Sequence, residues 1–176
     1  SSSSAASDVY KRQPRGCFLM SAGEMRRVTA INNGTVIDHI PAGAALTVLR
    51  MLGISDDRAC PISLEMNVPS SKHGRKDIIK VEDRELTQNE LDRLALVAPD
   101  ASVAIIRAYT VAEKLEINLT EEVVNVARCT FSNCITTNHR EPLPHRLIVT
   151  SRDPLELRCR YCGKTQDIEG LVDNLL

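Results

Sequence analysis

Four cysteines near the C-terminus constrain the fold of this chain more than any other feature. Cys129 and Cys134 form a C-x4-C pair, Cys159 and Cys162 form a C-x2-C pair, and 24 residues separate the pairs. Two short loops that each carry two thiolates are a common way to hold one zinc ion tetrahedrally. A ligand set without histidine or carboxylate favours a closed structural site over a catalytic site. The spacing therefore predicts a module with one structural Zn²⁺ per chain.

Two disulfides, or four unrelated buried thiols, are the alternative interpretations of these cysteines. Disulfides form in oxidising compartments and usually follow a secretory signal. Residues 1–13 contain no apolar segment of the kind that a signal peptide needs. We therefore predict a cytoplasmic protein with a metal site. Cys17 and Cys60 lie outside the spacing and are assigned no role.

Composition argues against two classes of partner. The chain has 176 residues, enough for one ordinary domain or two small ones. A net charge of −1 gives no bulk attraction to nucleic acid, and 3% aromatic residues without tryptophan provide little surface for base stacking. No apolar run approaches the length of a membrane span. We expect neither nucleic acid nor membrane as a partner.

Residues 1–25 differ in character from the rest of the chain. They contain four serines at the start and a basic Lys-Arg-Gln-Pro-Arg stretch, without hydrophobic periodicity. We predict a disordered or non-native leader, with Met20 and Met25 as candidate true starts.

From residue 26 onward the pattern becomes regular. Asn32-Asn33-Gly34, between two β-like runs, predicts a first hairpin. Pro41 is expected to open a helix that ends at Gly53. Alternation over Ile62–Val68, followed by a polar loop and the run Lys76–Val81, predicts a second hairpin.

A second helix and a further strand follow. Thr87 and Glu90 form a capping box, and Pro99 is expected to stop the helix that begins there. Ser102–Val111 predicts one strand, and Glu113–Glu122 a charged connector. The order of elements predicts an α+β protein: a ferredoxin-like, split β-α-β antiparallel sheet with two helices on one face, plus a small C-terminal β-rich zinc domain.

Charged residues on the predicted sheet suggest a phosphorylated ligand. A period of two places Lys76 and Lys80 on one face of their strand, which is therefore not expected to be core. Asp38 and His39 precede the predicted helix start, where backbone N–H groups favour an anion, and Lys114 can lie near the same edge. The alternatives are solvated edge lysines and a simple helix cap. No nucleophile with a partnering histidine and carboxylate is evident, so no catalytic role is predicted.

Four segments carry a resemblance to a known family. They are Gly34–Pro41, Gly74–Lys80, Leu94–Pro99 and the four-cysteine pattern, all in order along the chain. Together they resemble the regulatory chain of aspartate carbamoyltransferase, from about Val28 to Leu176. The resemblance implies a non-catalytic subunit that acts in de novo pyrimidine biosynthesis. It also implies an allosteric nucleotide-binding domain at 26–120 and a zinc domain at 121–176.

The resemblance further implies partners and site residues. The N-terminal domain is expected to form a homodimer and to bind CTP, ATP or UTP, with Mg²⁺ as a candidate companion. The zinc domain is expected to dock on the catalytic chain. From their position in the insert between the cysteine pairs, we predict Arg140, Glu141 and Arg146 as contacts of that docking. The residues implied for the nucleotide are Val28, Ile31, Val36, Tyr109 and Val111 around the base, Asp38 and Lys80 at ribose or base edges, and His39 and Lys114 near the phosphates. Ala104 stands where the family pattern usually has asparagine, which removes a polar contact.

Two other functions remain as alternatives. A zinc-ribbon nucleic-acid-binding protein would use Arg158, Arg160 and Lys164 on phosphates and would bind with a steep salt dependence. A small nucleotide-using enzyme would show turnover by the isolated chain.

Overall fold

The computed structural model describes residues 30–54, 60–72, 74–140 and 142–176. Within these ranges the chain forms two antiparallel sheets and a few short helices, which confirms the predicted α+β class. The described residues divide into two compact units. The predicted leader 1–25 lies outside the described residues, as do Val28, His73 and Glu141.

The first unit contains a five-stranded sheet. Its strands are β1 (Gly34–Pro41), β2 (Ile62–Ser70), β3 (Gly74–Glu82), β4 (Ser102–Arg107) and β5 (Thr110–Leu115). They lie in the order β2-β3-β1-β4-β5, and every neighbouring pair is antiparallel. Along the chain, helix α1 (Ala45–Met51) follows β1 and helix α2 (Gln88–Leu94) follows β3, and both helices except Ala45 belong to the second unit. This connection is the β-α-β-β-α-β motif of ferredoxin-like folds, extended by β5 at one edge.

The two helices begin for different reasons. At α2 the predicted capping box is confirmed: the Glu90 N–H donates to Thr87 Oγ1, and the Thr87 N–H donates to Glu90 Oε2. The predicted start of α1 at Pro41 is wrong, because Pro41 is the last residue of β1. The buried Asp77 carboxylate instead accepts the N–H groups of Gly43 and Ala45, so a residue distant in sequence satisfies the donors that precede α1.

The first predicted hairpin is not found in the part of the chain that the structure describes. Ala30 and Ile31 are not in a strand, and the preceding residues lie outside the described ranges. The carbonyl groups of Asn32 and Asn33 accept N–H groups from Tyr109 and Asp83, so this segment bonds to two other turns. The segment before β1 is therefore fixed by distant turns.

The prediction of a single strand over Ser102–Val111 is also wrong. Ala108 and Tyr109 both adopt positive φ angles, of 51° and 62°, and make a two-residue turn between β4 and β5. A tight hairpin turn of this kind usually carries Asn or Gly, so Ala108 and Tyr109 do not predict a turn. The connector shortens accordingly to residues 116–121, since β5 extends to Leu115.

The second unit contains the C-terminal sheet. Its strands are β6 (Glu122–Val124), β7 (Arg146–Arg152), β8 (Leu155–Cys159) and β9 (Thr165–Gln166), and they pair in that order. A 3₁₀ turn (Ile135–Thr137) and helix α3 (Ile168–Val172) complete the module.

The hydrophobic core of this second unit also includes residues that precede β4 in the chain. Ala95 and Leu96, just after α2, belong to the same buried cluster as Leu147, Leu157 and three of the paired cysteines. Arg93 donates a hydrogen bond to the Leu176 carbonyl. In the described ranges no helix has the length and apolar character needed to cross a membrane.

Candidate metal centre and ligand face

The structure brings the four predicted metal ligands together. The sulfur atoms of Cys129, Cys134, Cys159 and Cys162 all lie within 4.8 Å of one another. Cys129 Sγ lies 3.7 Å from Cys162 Sγ, and Cys134 Sγ lies 3.7 Å from Cys159 Sγ. Each of these close contacts joins one loop to the other, so the cluster is a junction between two segments distant in sequence.

These distances fit a thiolate metal site. Four sulfurs bound at about 2.3 Å to one zinc ion lie about 3.8 Å apart, since a tetrahedron's edge is about 1.63 times its centre-to-corner distance. A disulfide would need about 2.05 Å between sulfurs, so these contacts are not disulfides. The four-thiol cluster therefore fits a structural metal, as the spacing predicted.

The local structure positions each thiol. Cys129 and Cys134 flank a short loop before the 3₁₀ turn, whereas Cys159 ends β8 and Cys162 lies in the turn that follows. In that turn the Gly163 N–H donates to the Cys159 carbonyl at 2.9 Å. Three of the four cysteines are buried and Cys162 is half-buried, which suits a site closed to solvent.

The electrostatics of the thiols differ within the cluster. Burial raises the pKa of the Cys129 thiol to about 12. Burial also opposes ionisation of Cys134. Hydrogen bonds from the Thr136 hydroxyl, which lies 3.1 Å from the sulfur, and from the Thr136 backbone outweigh burial and lower the pKa of Cys134 to about 7. Thr136, which the sequence analysis did not identify, therefore supports one thiolate. Without metal at pH 7 the cluster still holds protons, and a metal ion has to displace them.

The second candidate site lies on the five-stranded sheet. In the strand register, Val36 pairs with Lys80 on one side and with Ala104 on the other, and Ala104 pairs with Lys114. Directly paired residues of an antiparallel sheet project on the same face, so these four side chains form one row. We call the surface around this row the ligand face. Its centre is aliphatic, and a lysine stands at each end.

A buried ion pair lies beside this row. Lys76 Nζ lies 2.8 Å from Asp38 Oδ1, and both side chains are almost fully buried. The His39 N–H donates to Asp38 Oδ1 at 2.6 Å. The expectation that the lysine-bearing face would lie outside the core is wrong, because Lys76 is 3% exposed and Lys80 5% exposed. For Lys76 the reason is Asp38, whose carboxylate neutralises the ammonium group.

Aliphatic residues cluster around Val36 of this row. Ile31, Val36, Ile78 and Ile106 form a buried cluster, with Val111 and Ala104 packed against it. Tyr109, on the strained β4–β5 turn, is 51% exposed. The structure thus gathers three of the residues implied for the base, Ile31, Val36 and Val111, in one cluster. Val28 lies outside the described residues.

His39 marks the end of the ligand face. Its Nδ1 lies 3.2 Å from Ser102 Oγ, and its φ angle is 58°. A cavity of about 380 Å³ opens beside it, lined also by Pro41, Arg75 and Asp100. Ile40, Pro41 and Ala42 contribute apolar lining to this cavity, and Arg75 and Asp100 contribute one charge of each sign.

Three basic residues of the C-terminal module contact other side chains. Arg160 and Arg146 both contact the Glu122 carboxylate, at 3.4 Å and 2.9 Å. Lys164 Nζ lies 4.5 Å from the centre of the Phe131 ring. Arg160 and Lys164, two of the three residues named for a nucleic-acid-binding module, therefore already contact other side chains.

The fold and these two sites define a protein that combines a cation-bearing ferredoxin-like sheet with a tetrathiolate metal module. Residues 26–118 match the family model described as aspartate carbamoyltransferase regulatory chain, allosteric domain. Residues 121–171 match the metal binding domain of the same regulatory chain. The chain belongs to the family of aspartate carbamoyltransferase regulatory chains. It is therefore a regulatory, non-catalytic subunit.

Similar proteins of known name agree with this assignment. A protein of Korarchaeum cryptofilum is 45% identical over 148 residues, which cover 84% of this chain and 94% of that protein. Proteins of Thermoplasma volcanium and Methanothrix thermoacetophila are 47% and 48% identical, covering 80% and 78% of this chain and 92% and 89% of theirs. All three are named aspartate carbamoyltransferase regulatory chain.

Proposed function

We propose that this chain binds nucleoside triphosphates on the ligand face and transmits their binding to the catalytic chain of aspartate carbamoyltransferase. The observation that carries the proposal is the row of Lys80, Val36, Ala104 and Lys114 beside the buried Asp38–Lys76 pair. An aliphatic centre with cations at both ends suits a ligand that has a flat ring and a polyanionic tail.

The base would lie on the aliphatic part of the face. Ile31, Val36 and Val111 supply the apolar surface, and Tyr109 on its strained turn is exposed enough to close over a ring. Val28 belongs to this proposal through the family resemblance alone. Ala104 places a methyl group at the centre of the row, so base selectivity would come from backbone groups and ring shape at this point rather than from a side-chain amide.

The sugar and phosphates would contact the charged residues of the ligand face. Asp38 and Lys80 would meet ribose or base edges, and His39 and Lys114 would meet the phosphates, with Mg²⁺ as a companion of the triphosphate. Lys76, which the strand pattern predicted on the same face as Lys80, joins this group because its ammonium lies 2.8 Å from Asp38. Lysines act on phosphates as point charges, so a shared polyphosphate can draw several of them together.

The metal module has a separate role in this proposal. Cys129, Cys134, Cys159 and Cys162 would hold one structural zinc ion, whose binding energy contributes to folding. Residues 121–176 would then dock on the catalytic chain, and residues 26–120 would bind nucleotide and form the homodimer. Arg140 and Arg146 remain proposed docking contacts, as does Glu141, although Arg146 already pairs with Glu122.

Regulation would follow from linkage between the two binding events. A nucleotide shifts a holoenzyme between low- and high-activity states only if it binds them with different affinity, typically by about 1–3 kcal/mol. We propose CTP, an end product of pyrimidine biosynthesis, as inhibitor and ATP as activator. The subunit would act in the cytoplasm, without binding nucleic acid.

The proposal is tested by mixing the zinc-loaded chain with the catalytic trimer from the same source. Mass and rate are recorded with and without CTP and ATP. A larger complex whose rate responds to nucleotide is expected; absence of association with zinc bound would contradict the docking role.

A matched pair of variants tests the ligand face. Lys80→Met removes one charged contact, so nucleotide affinity measured by calorimetry should fall about 10- to 100-fold. Lys72→Met changes an exposed lysine in the β2–β3 turn and should leave affinity unchanged. Equal affinities for both variants would remove the ligand face from the proposal.

A further inference from the structure

Gln166 has a buried side-chain amide that links the two cysteine loops by hydrogen bonds. It is not one of the four metal ligands. It lies in the short strand β9 and is 4% exposed. Its Oε1 accepts the Thr130 N–H at 2.8 Å and the Thr130 hydroxyl at 3.0 Å. Its Nε2 donates to the Lys164 carbonyl at 2.8 Å.

The backbone groups fix the orientation of this amide. The Thr130 N–H can only donate and the Lys164 carbonyl can only accept, so the Oε1 and Nε2 positions cannot be exchanged. Three strong hydrogen bonds at one buried side chain leave it little freedom. Gln166 therefore sets the distance between the two backbone segments that it joins.

Those two segments carry the thiols directly. Thr130 follows Cys129 in sequence, and the Lys164 carbonyl also accepts the Cys159 N–H, at 3.0 Å. A continuous path of hydrogen bonds thus runs from Thr130 through Gln166 and Lys164 to Cys159. One end of the path lies at the C-x4-C pair, and the other lies at the C-x2-C pair.

Packing holds the Thr130 end of the path from another side. A Cβ built on Gly170, in α3, would lie 3.1 Å from Thr130 Cγ2. The space at this position suits glycine, so α3 lies close against Thr130. Thr130 is thereby confined between Gln166 and Gly170, and the loop that begins with Cys129 is confined with it.

We propose that Gln166 is a positioning residue for the metal centre, holding the two cysteine loops at the separation that one metal ion requires. The proposal rests on the metal site proposed above. Removing a residue that orients the metal ligands without binding the ion typically weakens metal affinity about 10- to 100-fold.

The experiment measures zinc affinity of the full chain by competition with a coloured chelator. Gln166→Met keeps the side-chain length and removes all three hydrogen bonds, so the zinc dissociation constant should rise about 10- to 100-fold. Thr130→Val removes only the hydroxyl and should cause a smaller rise. Gln88→Met is the matched control, since Gln88 is an exposed glutamine on α2 that donates to Asp92; its affinity should stay within about twofold of the parent chain.

Cobalt(II) separates positioning from general stability. At saturating cobalt the visible absorption reports the geometry of the four thiolates, and Gln166→Met should alter its intensity and shape. Weaker zinc binding with an unchanged cobalt spectrum would overturn the proposal, as would parental affinity in both Gln166→Met and Gln166→Glu. If Gln166→Met does not fold, Thr130→Val and Gln166→Glu decide by the same two measurements. Failure of the parent chain to bind zinc would instead contradict the proposed metal site itself.

Discussion

The buried pair of Lys76 and Asp38 makes one strong prediction about stability. Lys76→Met keeps most of the side-chain volume but removes the ammonium that lies 2.8 Å from Asp38 Oδ1. The carboxylate then stays buried with no cation at that position. Removing one partner of a buried ion pair typically costs about 3–5 kcal/mol.

The surroundings of Asp38 place the expected cost at the lower end of that range. The His39 N–H still donates to Asp38 Oδ1 at 2.6 Å in the variant, so the carboxylate keeps one hydrogen bond. We therefore expect a loss of about 3 kcal/mol, which corresponds to a decrease of roughly 6–12 °C in melting temperature for a chain of this size.

The assay is thermal and urea unfolding of the parent chain, Lys76→Met, Asp38→Asn and the double variant. Because the two side chains interact directly, the double variant should lose at least about 1 kcal/mol less than the sum of the single losses. Lys72→Met controls for removal of an exposed lysine. A loss below about 0.5 kcal/mol for Lys76→Met, or strict additivity, would refute the assignment of a buried, mutually dependent pair.

Three further predictions concern other parts of the chain. Zinc affinity, measured by chelator competition, should fall as the pH is lowered from 8 to 6. The Cys134 thiol has a pKa of about 7, so over this range protons increasingly compete with zinc for its sulfur. Burial and the nearby Arg128 lower the pKa of His145 from its usual 6.5, so the unfolded chain binds this proton more readily than the folded chain. The free energy of unfolding should therefore fall as the pH drops through 6.5, and His145→Gln should make it less dependent on pH in urea titrations. Ala108→Gly should raise stability by up to about 1 kcal/mol in the same assay, since glycine adopts the positive φ of this turn without steric cost; a loss of stability would contradict the turn assignment.

Features with a local physical cause were predictable from sequence. The capping box at Thr87 and Glu90 depends on groups three residues apart, and it is present as predicted. The cysteine spacing specified a four-thiol cluster because each pair occupies one loop. The alternation of apolar and polar residues predicted the β2–β3 hairpin, because a strand's period of two is also a local property of the sequence.

Features that depend on distant contacts were not predictable. The start of α1 depends on Asp77, which lies more than thirty residues later in the chain. The burial of Lys76 requires Asp38 on another strand, and strand pairing is not visible in a hydrophobic pattern. Ala108 and Tyr109 carry no turn signal of their own, because the strands on either side impose the conformation. Gln166 gave no signal either, since its partners lie on two separate loops.

The core that Ala95 and Leu96 share with the paired cysteines has a consequence for how the chain can be divided. Residues 95 and 96 belong to the segment that matches the allosteric domain, yet their apolar side chains are buried among residues of the metal module. A cut in the connector 116–121 would therefore separate two stretches of sequence and expose a hydrophobic surface on each fragment. Amide protons at the end of α2 should exchange with solvent together with those of the cysteine loops, as parts of one cooperative unit.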